Sequence, residues 1–459
     1  MTWPVVNPHD LEIIGDVILV DWPQIDEWLG EAEELHKRPE NRLPVYERIA
    51  ILNRAAAIMQ DRFESLARQI ALEGGKPIVD ARVETRRAIQ GLELCVHELF
   101  GKSGREIPMD LTEAGSGRRA YTFSEPIGPV VAISAFNHPL NLIVHQVGPA
   151  VAVGCPVLVK PARETPLSCQ RFVDTLYEAG LEEKWCRFAP CEDTVAERMA
   201  TDPRMAFLTF IGSARIGWML RSKVAPGTRV ALEHGGAAPV IIDRDIVHDD
   251  IIPTLLKGGF YHSGQVCVSV QRVFVPQDKL LEFSTALAAG ADALIIGDPL
   301  QEETQCGPLI RPDEVDRIQN WIDEAVIEGA TLMSGGNRIG QTLYKPTVLM
   351  QPSYESKVST SEIFGPVICV YGYDHLDAAI VQANALPYAF QAAVFTDRLS
   401  VADRCVEMLN ASAVMINDHT AFRVDWMPFA GRKQSGLGTG GIGYTMDDMS
   451  EDKLVVCKE

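Results

Sequence analysis

The period of apolar and polar positions changes several times along this chain, and the changes divide it. From Pro44 to Ala71 (PVYERIAILNRAAAIMQDRFESLARQIA) apolar residues recur at helical spacing, and after the Gly74-Gly75 break the same period runs from Lys76 to Leu99. The spacing predicts two long amphipathic helices opening the fold. Alternation takes over from Arg118 to Phe123 (RRAYTF), which reads as a strand that forms a hairpin with the glycine-containing turn before it. A regular beat follows. Short apolar runs at 129–136 and 156–160, then WCRFAP, MAFLTFIG and RVALEHGG, alternate with helical stretches at 140–154 and 165–180, then TVAERMATD and SARIGWMLRSKVA. Thr165, with proline in the first turn behind it, is the expected cap of the 165–180 helix. Strands alternating with helices imply βαβ units, hence an α/β fold with a doubly wound parallel sheet covered on both faces. Such sheets take ligands beyond the carboxyl ends of their strands, where Asn137, Lys160, Gly212 and Glu233 fall.

A second α/β unit is expected from near Gly235 to about Asn417, with strands at PVIID, VQRVFVP, VICVYGY, QAAVFT and SAVMIN. The tail ends in KLVVCKE, a lone strand without a following partner in sequence. It is expected to pair with the sheet edge of another subunit.

Composition narrows the function. At 459 residues the chain has room for about three structural units of roughly 150 residues. Its 42 Lys and Arg against 62 Asp and Glu leave a net charge of −20, which repels phosphate backbones and anionic lipid heads and argues against nucleic-acid and membrane partners. Hydrophobic content of 46% and charged content of 23% are those of globular proteins. Ten cysteines without a C-x-x-C pair or zinc-spaced histidines argue against a disulfide framework and a structural metal. With neither a basic leader nor an apolar run at the start, a cytoplasmic protein is expected. Ile127 to Val159 lacks any charged residue, yet four prolines together with Asn137, His138, Asn141, His145 and Gln146 make it a poor membrane span and a good domain centre around a site.

Several residues invite two readings. Cys267, in YHSGQVCVSVQRVFV, is either a buried small apolar residue or a nucleophile set in a loop beside Gly264. Glu233 ends an apolar strand before two glycines; it is a general base with a raised pKa, or a cap or ion-pair partner. Asn137 satisfies a local turn or donates to an oxyanion. Lys160, closing a buried strand before Pro161, reaches solvent or meets an anion. FIGSARIG (210–217) enters a helix through Gly212 and Ser213, whose backbone N–H groups suit a pyrophosphate. The one G-x-G-x-x-G match, 436–441, lacks a preceding strand and is rejected as a nucleotide fingerprint.

Taken in order, these segments resemble the aldehyde dehydrogenase superfamily over nearly the whole chain. AFNHPLNL is similar to the family's P-W-N-F-P, KPARETP to K-P-A-x-x-T-P, FIGS to F-T-G-S and LEHGGAAP to E-L-G-G-K-x-P. GQVC is similar to G-Q-x-C, EIFGPV to E-x-F-G-P and MPFAGRKQSGLG to P-F-G-G-x-K-x-S-G-x-G. Glu233 and Cys267 are 34 residues apart and Asn137 and Lys160 are 23 apart, in agreement with the family's spacing. The resemblance implies an NAD(P)-dependent oxidation of an aldehyde to a carboxylic acid. Cys267 attacks, Asn137 and the Cys267 N–H hold the oxyanion, and Glu233 activates the water that hydrolyses the thioester. It further implies that Lys160 meets the adenosine ribose, with Ala162 and Arg163 also binding the cofactor, Gly212 and Ser213 the pyrophosphate, and Glu362 and Phe364 the nicotinamide ribose and ring, with no metal. It implies a cofactor domain over 1–103 and 124–234, a catalytic domain over 235–445 and a small β element for oligomerisation over 104–123 and 446–459, giving a homodimer or homotetramer.

The chain departs from the family pattern at His138, His234 and Thr439-Gly440, the last expected to leave the chemistry untouched. Arg163 stands where many NAD-preferring members have Glu; it pairs with a 2′-phosphate, so that NADP serves beside NAD, or it is a solvated surface residue. HTAFRVDWMP (419–428) is similar to the loop lining the aldehyde entrance, with Arg423, Phe422 and Trp426 as walls. Arg423 clamps an anionic substrate group, or it braces the loop with Asp425. The loop resembles that of the lactaldehyde and non-phosphorylating glyceraldehyde-3-phosphate branch, which points to short polar aldehydes. The competing readings are a CoA-acylating aldehyde dehydrogenase, against which Glu233 counts, and a catalytically silent binding protein on the same scaffold.

Overall fold

Three larger sheets organise the chain in the computed structural model, which describes residues 1–458. In the first, Arg229–Glu233, Phe207–Ile211, Val130–Ile133, Val157–Lys160 and Cys186–Phe188 lie side by side in that order, all parallel. Gly436–Leu437 returns late in the chain as an antiparallel edge beside Arg229–Glu233. The chain starts in the middle, at Val130–Ile133, winds to one side, and comes back to wind to the other. The switch therefore falls between Val130–Ile133 and Phe207–Ile211, where an open α/β sheet leaves a crevice. Alternate side chains feed opposite faces: Val130, Ala132, Val157 and Val159 pack under the helices Val45–Asp61, Ile78–Gly101, Asn141–Val153 and Pro166–Glu178. Val131, Ile133 and Leu158 pack under Trp22–Lys37, Asp193–Ala200 and Ala214–Arg221.

The charge-free stretch lies at this centre. Every position of the helix Asn141–Val153 is buried, where an unpaired charge would cost several kcal/mol. Its Gln146 donates to the carbonyls of Ile133 and Thr209, both at 3.2 Å, and so stitches together the two strands that flank the switch.

The second sheet has seven strands, in the order Thr331–Ser334, Thr347–Met350, Val367–Tyr373, Val270–Pro276, Ala238–Ile242, Gln391–Phe395 and Ala413–Ile416, parallel except for the first pair. The third sheet joins Ser450–Lys458, Arg118–Pro126 and Glu106–Ile107. Among the described residues no helix is long and apolar enough to cross a membrane.

Three expectations need correction. The two long helices do not open the fold; a strand pair, Thr2–Val6 with Ile13–Ile18, and the helix Trp22–Lys37 precede them. The first of the two also breaks at Arg62 into Val45–Asp61 and Phe63–Gly74. The tail strand is not left for another subunit. It pairs antiparallel with Arg118–Pro126 of its own chain through nine residue pairs, a contact between segments some 330 positions apart that no local pattern signals. Thr165 caps nothing with its side chain; the buried carboxylate of Glu73, from the helix Phe63–Gly74, accepts the N–H groups of Leu167 and Ser168 at 2.8 and 2.7 Å instead.

Candidate active site

The crevice at the switch deepens into a cavity of about 730 Å³ that reaches the loops entering the second sheet. Around it stand Asn137, Lys160, Ala162, Arg163, Gly212, Ser213, Glu233, Cys267, Glu362, Phe364 and Arg423, drawn from segments spread over nearly 290 residues. Phe422 and Trp426 do not line it. They stand 43% and 60% exposed, because neighbours on an irregular loop point different ways and only Arg423 of the three turns inward. The loop is fastened to the Cys267 segment by the Thr420 hydroxyl, which donates to the Val268 carbonyl at 2.7 Å.

Cys267 follows a strained turn. His262 and Ser263 sit at φ +49° and +56° and Gly264 at +69°; a Cβ on Gly264 would come within 2.2 Å of the Gly365 carbonyl oxygen, so glycine is required. Gln265 holds the turn, accepting from Ile310 N–H and donating to the carbonyls of His262 and Pro308. Burial, with the charges of Glu362 and Glu233, pushes the Cys267 thiol up to about 12, against the pull of Arg423. The sulfur is therefore protonated at neutral pH, and attack needs a nearby group to take that proton.

Asn137 is buried and its Nδ2 donates to the Gln265 carbonyl at 2.9 Å. A carboxamide has two N–H groups, so one ties the side chain to the nucleophile turn and one remains. The turn after Asn137 is pinned from below. Glu84 accepts the N–H groups of Leu140 and Asn141 at 3.0 and 3.1 Å and pairs with Lys76, both side chains being 1–2% exposed. Lys76 also donates to His138 Nδ1 at 2.8 Å. Burial alone would push Glu84 up; the adjoining Lys76 ammonium holds it well below the usual carboxylate range. Burial and the same ammonium push His138 down to about 4, which leaves a neutral ring that accepts. His138 thus has a structural account that sequence alone did not supply.

Glu233 ends its strand with the carboxylate over Gly440: a Cβ there would meet Glu233 Oε1 at 2.2 Å. The glycine string 436–441 therefore serves Glu233 rather than a nucleotide, since Gly436 pairs with it across the sheet and Gly440 leaves its seat. Gly440 of the Thr439-Gly440 departure thus lies against this carboxylate, where a side chain would fill the seat. Burial raises the Glu233 carboxyl and Arg423 partly opposes this. Glu362 rests in the same way on Gly235, at 1.5 Å from a Cβ built there. Burial pushes it up to about 8, and its Oε1 has no partner. Phe364 adopts φ +50° and meets Phe136 edge-on, with centroids 5.7 Å apart. His234 donates from Nδ1 to the Gly212 carbonyl at 2.8 Å and packs over Gly217, whose Cβ would fall 2.0 Å from the ring. It thereby orients the peptide that starts the helix Ala214–Arg221.

Toward the other end, Lys160 and Arg163 lie 5.5 and 5.8 Å from the ring centroid of Trp3. Trp3 Nε1 donates to Glu192 at 3.1 Å, and Lys160 Nζ is 3.7 Å from the exposed Asp193. Trp3, Arg87, Lys76 and Glu84 carried no signal in the sequence, since each is isolated in its own segment; His145 did, as a polar member of the charge-free stretch, and Gly440 did, as part of a glycine string read for another purpose.

A mostly parallel doubly wound sheet, a cavity at its switch point and a cysteine, a carboxylate and a carboxamide converging there define an oxidoreductase of the aldehyde dehydrogenase class. The aldehyde dehydrogenase family model matches residues 1–455. Over 453 residues the chain is 32% identical to the 3-sulfolactaldehyde dehydrogenase of Priestia megaterium, covering 98% of this chain and 94% of that one. It superimposes with a TM-score of 0.96 on aldehyde dehydrogenase 21 of Physcomitrella patens in complex with the reaction product succinate, at 35% identity, covering all of this chain and 95% of that one. With glyceraldehyde-3-phosphate dehydrogenase GapN of Methanocaldococcus jannaschii complexed with NADP the TM-score is 0.95 at 31% identity, covering 100% and 99%. The chain belongs to the aldehyde dehydrogenase family and oxidises aldehydes to carboxylic acids.

Proposed function

We propose that Cys267 is the nucleophile of this oxidation, Asn137 the oxyanion donor and Glu233 the base, with NAD or NADP held along the same cavity. The observation that carries this reading is the convergence on one cavity of a buried thiol, a half-committed carboxamide and a carboxylate seated on glycine. The residues present fit a dinucleotide. Gly212 and Ser213 offer a helix start at the switch point, Lys160 and Ala162 line the wall beside Trp3, and Glu362 keeps a buried Oε1 without a partner beside Phe364. When bound, the oxidised nicotinamide supplies the hydride acceptor.

The chain's own residues do the rest. Cys267 gives up its proton to water in the cavity, and its sulfur adds to the aldehyde carbon. The oxygen takes the electron pair of the C=O bond and is held by the free N–H of Asn137 and the backbone N–H of Cys267. As the C=O bond re-forms, the carbon's hydrogen leaves with its electron pair and a thioester remains on Cys267. Glu233, in its ionised form, draws a proton from water; the hydroxide adds to the thioester carbon, the C–S bond breaks with its electron pair on sulfur, the acid is released, and the carboxyl's proton returns to the thiolate.

The experiment is to follow reduced-nicotinamide absorbance across an aldehyde panel with each cofactor. Cys267→Ala is expected to lose turnover by at least about 10⁴-fold. Glu233→Gln is expected to give a single-turnover burst and then stall, because it removes only the second half. Full steady-state turnover in either variant sinks the assigned role.

In this reading the first sheet with its helices serves the cofactor, and the second carries the nucleophile. The third sheet leaves Tyr121, Phe123, Leu454 and Val456 exposed, and this apolar surface supports a homodimer or homotetramer. The ten cysteines are all free, which supports a reducing, cytoplasmic setting.

A further inference from the structure

We infer that His234 is a positioning residue for the dinucleotide: its side chain replaces a backbone rung between two strands and thereby aims the Ser213 N–H into the crevice. This rests on the reading above, in which Gly212 and Ser213 meet the pyrophosphate. The strands Phe207–Ile211 and Arg229–Glu233 pair in parallel as far as Ile211 and Glu233, and the Gly212 N–H adds a last backbone bond to the Glu233 carbonyl at 3.1 Å. In a continued parallel ladder the Gly212 carbonyl would next receive the N–H of Gly235. It accepts instead from Nδ1 of His234, at 2.8 Å. The backbone N–H of His234 faces the other way, to the Ser435 carbonyl at 2.9 Å.

The direction of that carbonyl decides where the next N–H goes. A planar trans peptide carries its C=O and N–H on opposite edges, so a Gly212 carbonyl held toward Arg229–Glu233 turns the Ser213 N–H away from it. On that opposite side lies Val130–Ile133, because Phe207–Ile211 runs between the two, and the gap there is the crevice of the switch point. Ser213, extended at φ −64° and ψ 141°, precedes the helix Ala214–Arg221, and the N–H groups of Ser213 and Ala214 have no acceptor among the described residues. An anion in the crevice supplies one. The imidazole is locked in this task. It sits between Phe210 and Trp218, with centroids 5.9 and 6.1 Å away, and over Gly217, where a Cβ would fall 2.0 Å from its Cε1. Burial keeps the ring neutral, so its single N–H is the one on Nδ1.

The test measures binding as well as turnover. ADP-ribose, which carries the pyrophosphate without the nicotinamide, is titrated into the purified enzyme by calorimetry, and adenosine, which lacks phosphate, is measured by competition. His234→Phe keeps a ring and removes the donor; it is expected to weaken ADP-ribose about tenfold and leave adenosine unchanged, with a matching rise in KM for the cofactor and kcat within about twofold. In His234→Asn the Nδ2 hangs on the same carbon as the histidine Nδ1, and affinity is expected within about twofold of the unaltered enzyme. Gly217→Ala retains the histidine but pushes its ring off the carbonyl, so it should match His234→Phe and reads the same effect should that variant not fold. ADP-ribose bound as tightly by His234→Phe or Gly217→Ala as by the unaltered enzyme, a His234→Asn as weak as His234→Phe, or an equal loss on adenosine overturns the proposal and leaves the cofactor site standing. Failure of the unaltered enzyme to bind ADP-ribose overturns the pyrophosphate reading of Gly212 and Ser213, and the role of His234 with it.

Discussion

The two ends of the cavity are built by opposite means. Around Cys267 the working groups are buried, held by contacts from distant segments and seated on glycines, and burial moves their acidities: the thiol to about 12, Glu362 to about 8, His145 to about 4. Around Trp3, Arg163 and Asp193 stand exposed, and Lys160, though buried, reaches to within 3.7 Å of Asp193, with Lys160 and Arg163 both within 6 Å of one ring centroid. The difference follows from the tasks. Moving a proton between a thiol, a carboxylate and water requires groups whose charge is costly, so that small displacements of charge change their protonation. Holding a hydrated dinucleotide requires donors that remain partly in water and make many modest contacts.

If that contrast is right, small changes at the buried end act steeply and changes at the surface end act gradually. The steepest is Gly440→Ala. The backbone there needs no positive φ, and an added Cβ would meet the Phe429 carbonyl oxygen at 3.0 Å but the Glu233 carboxylate at 2.2 Å, so it is the carboxylate that must move most. Stopped-flow should show a preserved first-turnover burst and steady-state turnover lowered by about 10²-fold; a steady state equal to that of the unaltered enzyme would mean that the seat on Gly440 is immaterial. The pH profile sharpens the same end. Glu233 works as a base only when ionised and its pKa is raised, so deacylation should climb with pH through that raised value. Removing the Arg423 charge, which lowers that pKa, should move the acid limb to higher pH.

Next comes the scaffold beneath Asn137. Glu84→Gln leaves Lys76 buried without its charge partner and should cost about 3–5 kcal/mol of stability by chemical denaturation at pH 7. Because the folded-state pKa of Glu84 lies below its unfolded value, the stabilisation is present above the usual Glu range near 4.3 and is lost as pH falls. The gap between the two proteins should therefore narrow in acid; a gap independent of pH would deny Glu84 this role. The smallest effect is expected at the surface end. Arg163→Glu should weaken NADP relative to NAD by about tenfold in a fluorescence titration of binding, with little change in kcat. An unchanged ratio would make Arg163 a solvated residue.

The order of βαβ units, five of the seven strands of the second sheet, the buried character of residues 127–159 and the candidates for catalysis could be read along the chain, because each rests on a local period or a short motif; the strands Thr331–Ser334 and Thr347–Met350 were missed. Local order is set by neighbours in sequence, and sequence displays neighbours. The rest depended on which distant segments meet. Nothing near residue 450 announces a partner at 118–126, and nothing near Pro166 announces Glu73 as the cap. The inward turn of Arg423, the outward turn of Phe422 and Trp426, and the capture of Asp425 by Arg87 rather than Arg423 were likewise decided by packing. A buried charge takes whichever partner the tertiary fold brings within hydrogen-bond reach, and that partner is the one property a linear pattern does not contain.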